Sequence, residues 1–169
     1  MAKSILEGKR ILVVDDEPDI LTVLEEEIGE ACGTCEIDKA TTYEEAAGLL
    51  ASHAYDLVVL DIMGVRGFDL LEIAVKRNCR VAMLTAHALS AEALLKSHDL
   101  GAWAYLPKEK LKEIVPLLED VLRYEFERGW KRLMVELEVF FDGRFGSDWR
   151  SKARLDGYYN LPGPQRATC

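Results

Sequence analysis

Five side chains in this sequence have the types to do chemistry together: Asp15, Asp16, Asp61, Thr85 and Lys108. Each closes a short apolar run. Arg10-Ile11-Leu12-Val13-Val14 stops at Asp15-Asp16, and Leu57-Val58-Val59-Leu60 stops at Asp61. Arg80-Val81-Ala82-Met83-Leu84 stops at Thr85, and Trp103-Ala104-Tyr105-Leu106 closes at Pro107-Lys108. Three carboxylates brought together repel one another unless a cation neutralises them. Charged oxygen donors suit a hard divalent ion, Mg2+ first. A carboxylate beside such an ion can attack phosphorus. The ion and an ammonium then absorb charge on the phosphoryl oxygens, and a hydroxyl can bond the product. Taken singly, each residue also has a plain structural reading: a turn cap, a strand end, a loop cation.

The elements that must position them can be read from periodicity. The run before Asp61 is branched and continuous, as in a strand buried on both faces. After Asp15-Asp16-Glu17-Pro18, the residues Ile20, Val23, Leu24 and Ile28 recur at helical spacing. Cys35–Ala40 alternates weakly, as an edge strand would. Thr41-Thr42 with Glu44 and Glu45 marks a helix start. Helices are also expected over Phe68–Arg77, Ala88–Leu100 and from Lys110 onward. Strands and helices alternate five times, which predicts an α/β fold with a doubly wound parallel sheet. In such a sheet the C-terminal strand ends lie side by side, where ligands bind.

The chain has 169 residues, 49% of them hydrophobic, enough for one domain with extra length. Its net charge is −9, and from Asp142 onward five Lys/Arg face three Asp, leaving −11 on the rest. That body is a poor match for a phosphate backbone and argues against direct nucleic-acid binding. No apolar run approaches the roughly 18–20 residues of a membrane span, and no signal peptide opens the sequence. A cytoplasmic protein is expected, with its four scattered cysteines as reduced thiols. Cys32-Gly33-Thr34-Cys35 is a lone CxxC with no second pair. His53 and His98 lack spaced partners and read as core or surface residues.

Leu12-Val13-Val14-Asp15-Asp16-Glu17-Pro18, Leu57–Met63, Met83-Leu84-Thr85-Ala86 and Tyr105-Leu106-Pro107-Lys108 together resemble the motifs of receiver (CheY-like) domains of two-component response regulators. The resemblance covers about residues 8–125. It implies a five-stranded flavodoxin-like sheet in the order 2-1-3-4-5. Asp61 would be the phosphoacceptor, served by a histidine kinase or phosphotransfer protein. Asp16, Asp61 and the backbone carbonyl of Met63 would ligate Mg2+, with Asp15 direct or through water. Lys108 and Thr85 would complete the site, and Thr85 and Tyr105 would form a switch pair. The output would be a contact with a downstream protein target. Such a chain is its own slow phosphatase and not an enzyme on a separate substrate.

The sequence departs from the family in three places. Gly67 follows Asp61 so closely that the loop looks about two residues short, with no proline after Met63. Lys108 precedes Glu109 where the family has proline. His87 sits over the site, where it can affect access to Asp61. A rival reading is a phosphorylation-independent, receiver-like scaffold or dimerisation module. A hydrolase of the aspartate-nucleophile type would need a second Asp where Met63 stands.

The expected organisation is a receiver over 1–124, an extended C-terminal helix over 125–142 and an irregular tail over 143–169. Leu118, Leu122, Phe126, Trp130, Leu133, Met134, Leu137, Phe140 and Phe141 form one amphipathic stretch. As one helix from Pro116 to Phe141 it would reach about 39 Å, past the body of the domain. Self-association through it, as a homodimer, is the first expectation, and folding back on the receiver the second. The tail would dock through Phe145, Trp149, Tyr158 and Tyr159. No helix-turn-helix pattern appears.

Overall fold

Val-, Ile- and Leu-rich runs without alternation cannot face water on either side, so helices must cover both faces of the sheet they form. The computed structural model has this arrangement; it describes residues 2–86 and 90–149. Strands β1 (Arg10–Val14), β2 (Glu36–Ala40), β3 (Leu57–Asp61), β4 (Arg80–Thr85) and β5 (Ala104–Pro107) make one parallel sheet. Its order is β2-β1-β3-β4-β5. Helices α1 (Pro18–Ala31), α2 (Tyr43–Ser52), α3 (Gly67–Lys76), α4 (Ala91–Asp99) and α5 (Ile114–Arg123) connect and cover it. Leu57, Val58, Val59 and Leu60 are wholly buried at the centre. β2, the weakly alternating segment, is one edge strand and β5 the other.

Local chemistry sets several helix starts. Pro18 takes the first turn of α1, where its missing N–H costs nothing. Thr42 caps α2 by accepting from Glu45 N at 3.2 Å, and Glu45 Oε2 accepts from Thr41 N at 2.9 Å. Ser90 caps α4 through Ala93 N at 3.0 Å.

Two expectations are corrected here. Cys32 and Cys35 are joined as a disulfide at the end of α1, with Cα atoms 5.7 Å apart, so these two are not reduced thiols. The turn over Gly33-Thr34 folds the two positions within bridging reach. Cys79 is a free, buried thiol.

The second correction concerns the C-terminal helix, which does not run on past the body. α5 ends at Arg123; Tyr124 (φ −102°, ψ 153°) and Glu125 (φ −66°, ψ 155°) are extended, and α6 spans Phe126–Phe145. α6 returns antiparallel to α5, along β5. Trp130, Leu133, Met134, Leu137 and Phe141 are buried against the receiver. Trp130 Nε1 donates to Ala102 O at 2.8 Å. Its ring meets His98 of α4 at 5.1 Å, and Phe126 meets Trp103 at 5.5 Å. The stripe therefore finds its cover in its own domain, and folding back takes the place of self-association as the way it is buried here. Trp149 follows and docks on Phe141, its Nε1 donating to Asp142 at 2.6 Å. Tyr158 and Tyr159 lie outside the described residues, as does His87.

Candidate functional site

Sheet register brings the strand-end residues together. Val14 pairs with Leu60, so Asp15 and Asp61 leave neighbouring strands at one level. Leu84 pairs with Asp61, and Thr85 with Pro107, which Lys108 follows. Lys108 is aimed without any cis bond: every peptide among the described residues is trans. A 3-10 turn over Lys108–Glu113 starts there. Its Nζ lies 2.7 Å from Asp15 Oδ2, 2.9 Å from Glu17 Oε1 and 3.3 Å from Asp61 Oδ1. Glu17 is a partner that the reading of strand ends passed over. Its signal was its place in the acidic run just before Pro18.

Burial sets the electrostatics. Asp61 is 3% exposed. Burial first, then the charges of Asp15 and Asp16, push its carboxyl up to about 7, against the pull of Lys108. Burial also raises Asp15, opposed by Lys108 and by the Glu17 N–H. At Lys108 burial works against the charge, but Asp15, Glu17 and Asp61 outweigh it and push the ammonium up. One ammonium thus offsets two buried carboxylates, and Asp16 stands exposed beside them.

Carboxylate oxygens of Asp15, Asp16 and Asp61 lie within 4.8 Å of one another. That is a fitting donor set for a hard divalent cation. Gly64 supports it at φ +81°, where a Cβ would overlap the Asp16 carboxylate. Met63 sits in the same turn with its side chain 67% exposed.

The short loop after Asp61 closes through Gly67. Gly67 N donates to Ile62 O at 3.2 Å, and a Cβ on Gly67 would overlap the Asp61 carbonyl and Ile62 Cα. No side chain fits between α3 and the strand end. Gly67→Ala is expected to cost more than about 2 kcal/mol in urea unfolding, because backbone must move. Gly29, in α1 with nothing within 4 Å of its added Cβ, is the contrast. Gly29→Ala should stabilise by about 0.5–1 kcal/mol.

Thr85 is buried at the end of β4, and Tyr105 is wholly buried on β5. The Tyr105 hydroxyl has no well-formed hydrogen bond, and burial pushes it up to about 12, with Thr85 opposing.

Fold and site define a class: a doubly wound parallel α/β domain with an acidic cluster and a lysine at its C-terminal sheet edge. Residues 11–119 match the family model of the response regulator receiver domain, and the chain belongs to that family. It is 33% identical over 123 residues to the two-component response regulator ARR18 of Arabidopsis thaliana, covering 69% of this chain and 19% of that protein. It is 36% identical over 103 residues to the sensory transduction protein LytR of Staphylococcus haemolyticus, covering 59% and 39%. The chain therefore spans well under half the length of these curated relatives. A two-component response regulator structure from Clostridium difficile superposes with a TM-score of 0.61 at 26% identity, covering 68% of this chain and 96% of that one. The BeF3-activated DrrB receiver domain gives 0.59 at 26% identity, covering 69% and 98%.

Proposed function

We propose that this receiver accepts a phosphoryl group on Asp61 from a histidine kinase or phosphotransfer protein, and that the modification switches a contact with a downstream protein target. The observation that carries the reading is Lys108 Nζ standing 2.7 Å from Asp15 and 3.3 Å from Asp61 at the buried strand ends. Asp61 attacks phosphorus; a new O–P bond forms as the P–N bond to the donor histidine breaks. Lys108 gives up part of its pairing with Asp15 and Glu17 to meet the phosphoryl oxygens. Asp15, Asp16, Asp61 and the Met63 carbonyl are the residues that would hold Mg2+. When bound, that ion supplies positive charge against both the carboxylates and the transferred group. Thr85 would turn toward the phosphoryl group, and Tyr105 would answer on β5.

In this reading the chain takes part in phosphoryl transfer and its own dephosphorylation, without acting on a separate substrate. The domain makes no nucleic-acid contact of its own. No helix among the described residues is long and apolar enough to cross a membrane. A cytoplasmic location follows from the kinase partner. A homodimer through the C-terminal helix belongs to this reading only if α6 leaves the face it covers.

Acetyl phosphate or beryllofluoride with Mg2+ tests the proposal. With acetyl phosphate wild type should gain one phosphoryl group by intact mass, and with either reagent it should change its tryptophan fluorescence; Asp61→Ala should do neither. No response in wild type, or an unaltered response in Asp61→Ala, would support the phosphorylation-independent scaffold instead.

A further inference from the structure

Lys108 reaches three carboxylates, and no proline after it fixes the backbone that aims it. Glu109 stands where the family has proline, so neither a following ring nor a cis bond sets the turn. The 3-10 turn that begins at Lys108 has no side-chain cap, and Lys110 inside it leaves helical geometry at φ −103°, ψ 21°. Hydrogen-bond geometry in such turns is poor, so contacts with the rest of the chain must hold it.

Leu111 anchors the middle of the turn in the core. The start of the turn is held by the last helix. Arg144 of α6 donates from Nη1 to Glu109 Oε1 at 2.8 Å. Phe140 lies four residues before Arg144, on the same helix face. Its ring faces two cations, the Arg144 guanidinium and the Lys110 ammonium, each 5.8 Å from the ring centre. Lys110 also donates to Glu113 Oε1, at the end of the turn, at 3.2 Å. α6 thus grips both residues that follow Lys108. The end of α6 is itself fixed: Gly146 N closes its last turn on Asp142 O at 3.0 Å, and Trp149 packs on Phe141.

We propose that Arg144 is a positioning residue for phosphoryl transfer at Asp61, and that its ion pair with Glu109 holds the turn that aims Lys108. Arg144 touches no reacting atom; it acts through Lys108, and its role rests on Asp61 being the phosphoacceptor. During transfer Lys108 gives up part of its pairing with Asp15 and Glu17 to meet the phosphoryl oxygens. A turn that drifts carries Nζ off that path, and the loss falls on stabilisation of the transferred charge. Arg144 and Glu109 are 39% and 43% exposed, so the pair has the strength of a surface ion pair and its effect on rate is a few-fold. The last helix then belongs to the phosphoryl-transfer unit, although it lies beyond residues 11–119 that match the family.

The full chain with acetyl phosphate and Mg2+ gives the rate of phosphoryl gain by intact mass. Arg144→Ala should slow it about two- to fivefold. Glu109→Ala should slow it by a similar factor, and the double variant by no more than either single one. Arg144→Lys, which keeps the charge, should recover part of the rate. A merely structural role would leave the Lys108 ammonium unmoved. Its Nζ–H signal by NMR, with a chelator and no phosphoryl donor, should exchange faster with water in Arg144→Ala and slow again in Arg144→Lys. A wild type that takes no phosphoryl group would sink the reading of Asp61, and the ammonium signal would still decide whether Arg144 places Lys108. A wild-type rate in Arg144→Ala, additive slowing in the double variant, or an unaltered ammonium signal overturns the proposal.

Discussion

Asp61→Asn is expected to be more stable than wild type above neutral pH in the absence of divalent cations, by about 2–4 kcal/mol. The sign follows from the direction of the shift. Asp61 titrates at about 7 in the folded protein and at an ordinary carboxylate value in the unfolded chain. Below about pH 4 both states hold the proton and Asp61 contributes nothing to the balance. Between about pH 4 and 7 the unfolded chain releases its proton while the fold keeps it, so stability falls as pH rises. Above that window the whole cost of an ionised, buried carboxylate beside Asp15 is present. Asparagine removes that charge, and Lys108 keeps Asp15 and Glu17 as partners. Urea unfolding with a chelator at pH 5 and pH 8 should show the gap between variant and wild type widening with pH. Adding Mg2+ at pH 8 should narrow it by stabilising wild type, since cation binding to the fold alone adds stability. A gap independent of pH, or a less stable variant, would contradict this electrostatic account.

The parts of this site that were legible in the sequence are those set by the chain's own local pattern. Apolar runs that stop at a charge define where strands end, and parallel topology then makes those ends neighbours. Asp15, Asp61, Thr85 and Lys108 needed no more than that, because β1, β3, β4 and β5 register within a residue of one another. Glu17 was passed over because it lies beyond a strand end, in the turn into α1, and is recruited only by the reach of Lys108. The short loop after Asp61 raised a question of geometry that residue types alone do not answer. Gly67 answers it by packing its bare Cα face against the Asp61 carbonyl.

The break in the C-terminal helix was illegible for a different reason. Neither Tyr124 nor Glu125 is a helix breaker, and the carbonyls of Val121 and Leu122 at the break accept from Arg80, which comes from a strand of the sheet. Periodicity reports which residues want cover, and it reported Trp130, Leu133, Leu137 and Phe141 correctly. It does not report whose surface supplies that cover. The Cys32–Cys35 bridge is similar: a CxxC allows a disulfide, metal ligation or two thiols, and only the fold of the turn chooses among them.

Trp130→Ala should lose about 3 kcal/mol of packing, and the loss should be confined to the docking of α6. Trp130 is the anchor where α6 crosses β5: its ring lies against His98 and Phe126, and its N–H satisfies the Ala102 carbonyl. Truncation leaves a cavity and an unpaired backbone oxygen at the edge of the sheet. The five-stranded core does not depend on that contact, since Leu57–Leu60 lie at the centre of the sheet between β1 and β4, while Trp130 meets only Ala102, next to edge strand β5, and His98 and Phe126. The variant should therefore behave as a folded receiver with a loosened last helix. Hydrogen exchange would separate the two cases. Amides of Leu133–Phe141 should lose protection by about a hundredfold, while those of β1, β3 and β4 keep theirs. Equal loss across the sheet and α6 would mean that the last helix is part of the receiver's cooperative core and not a separable layer upon it.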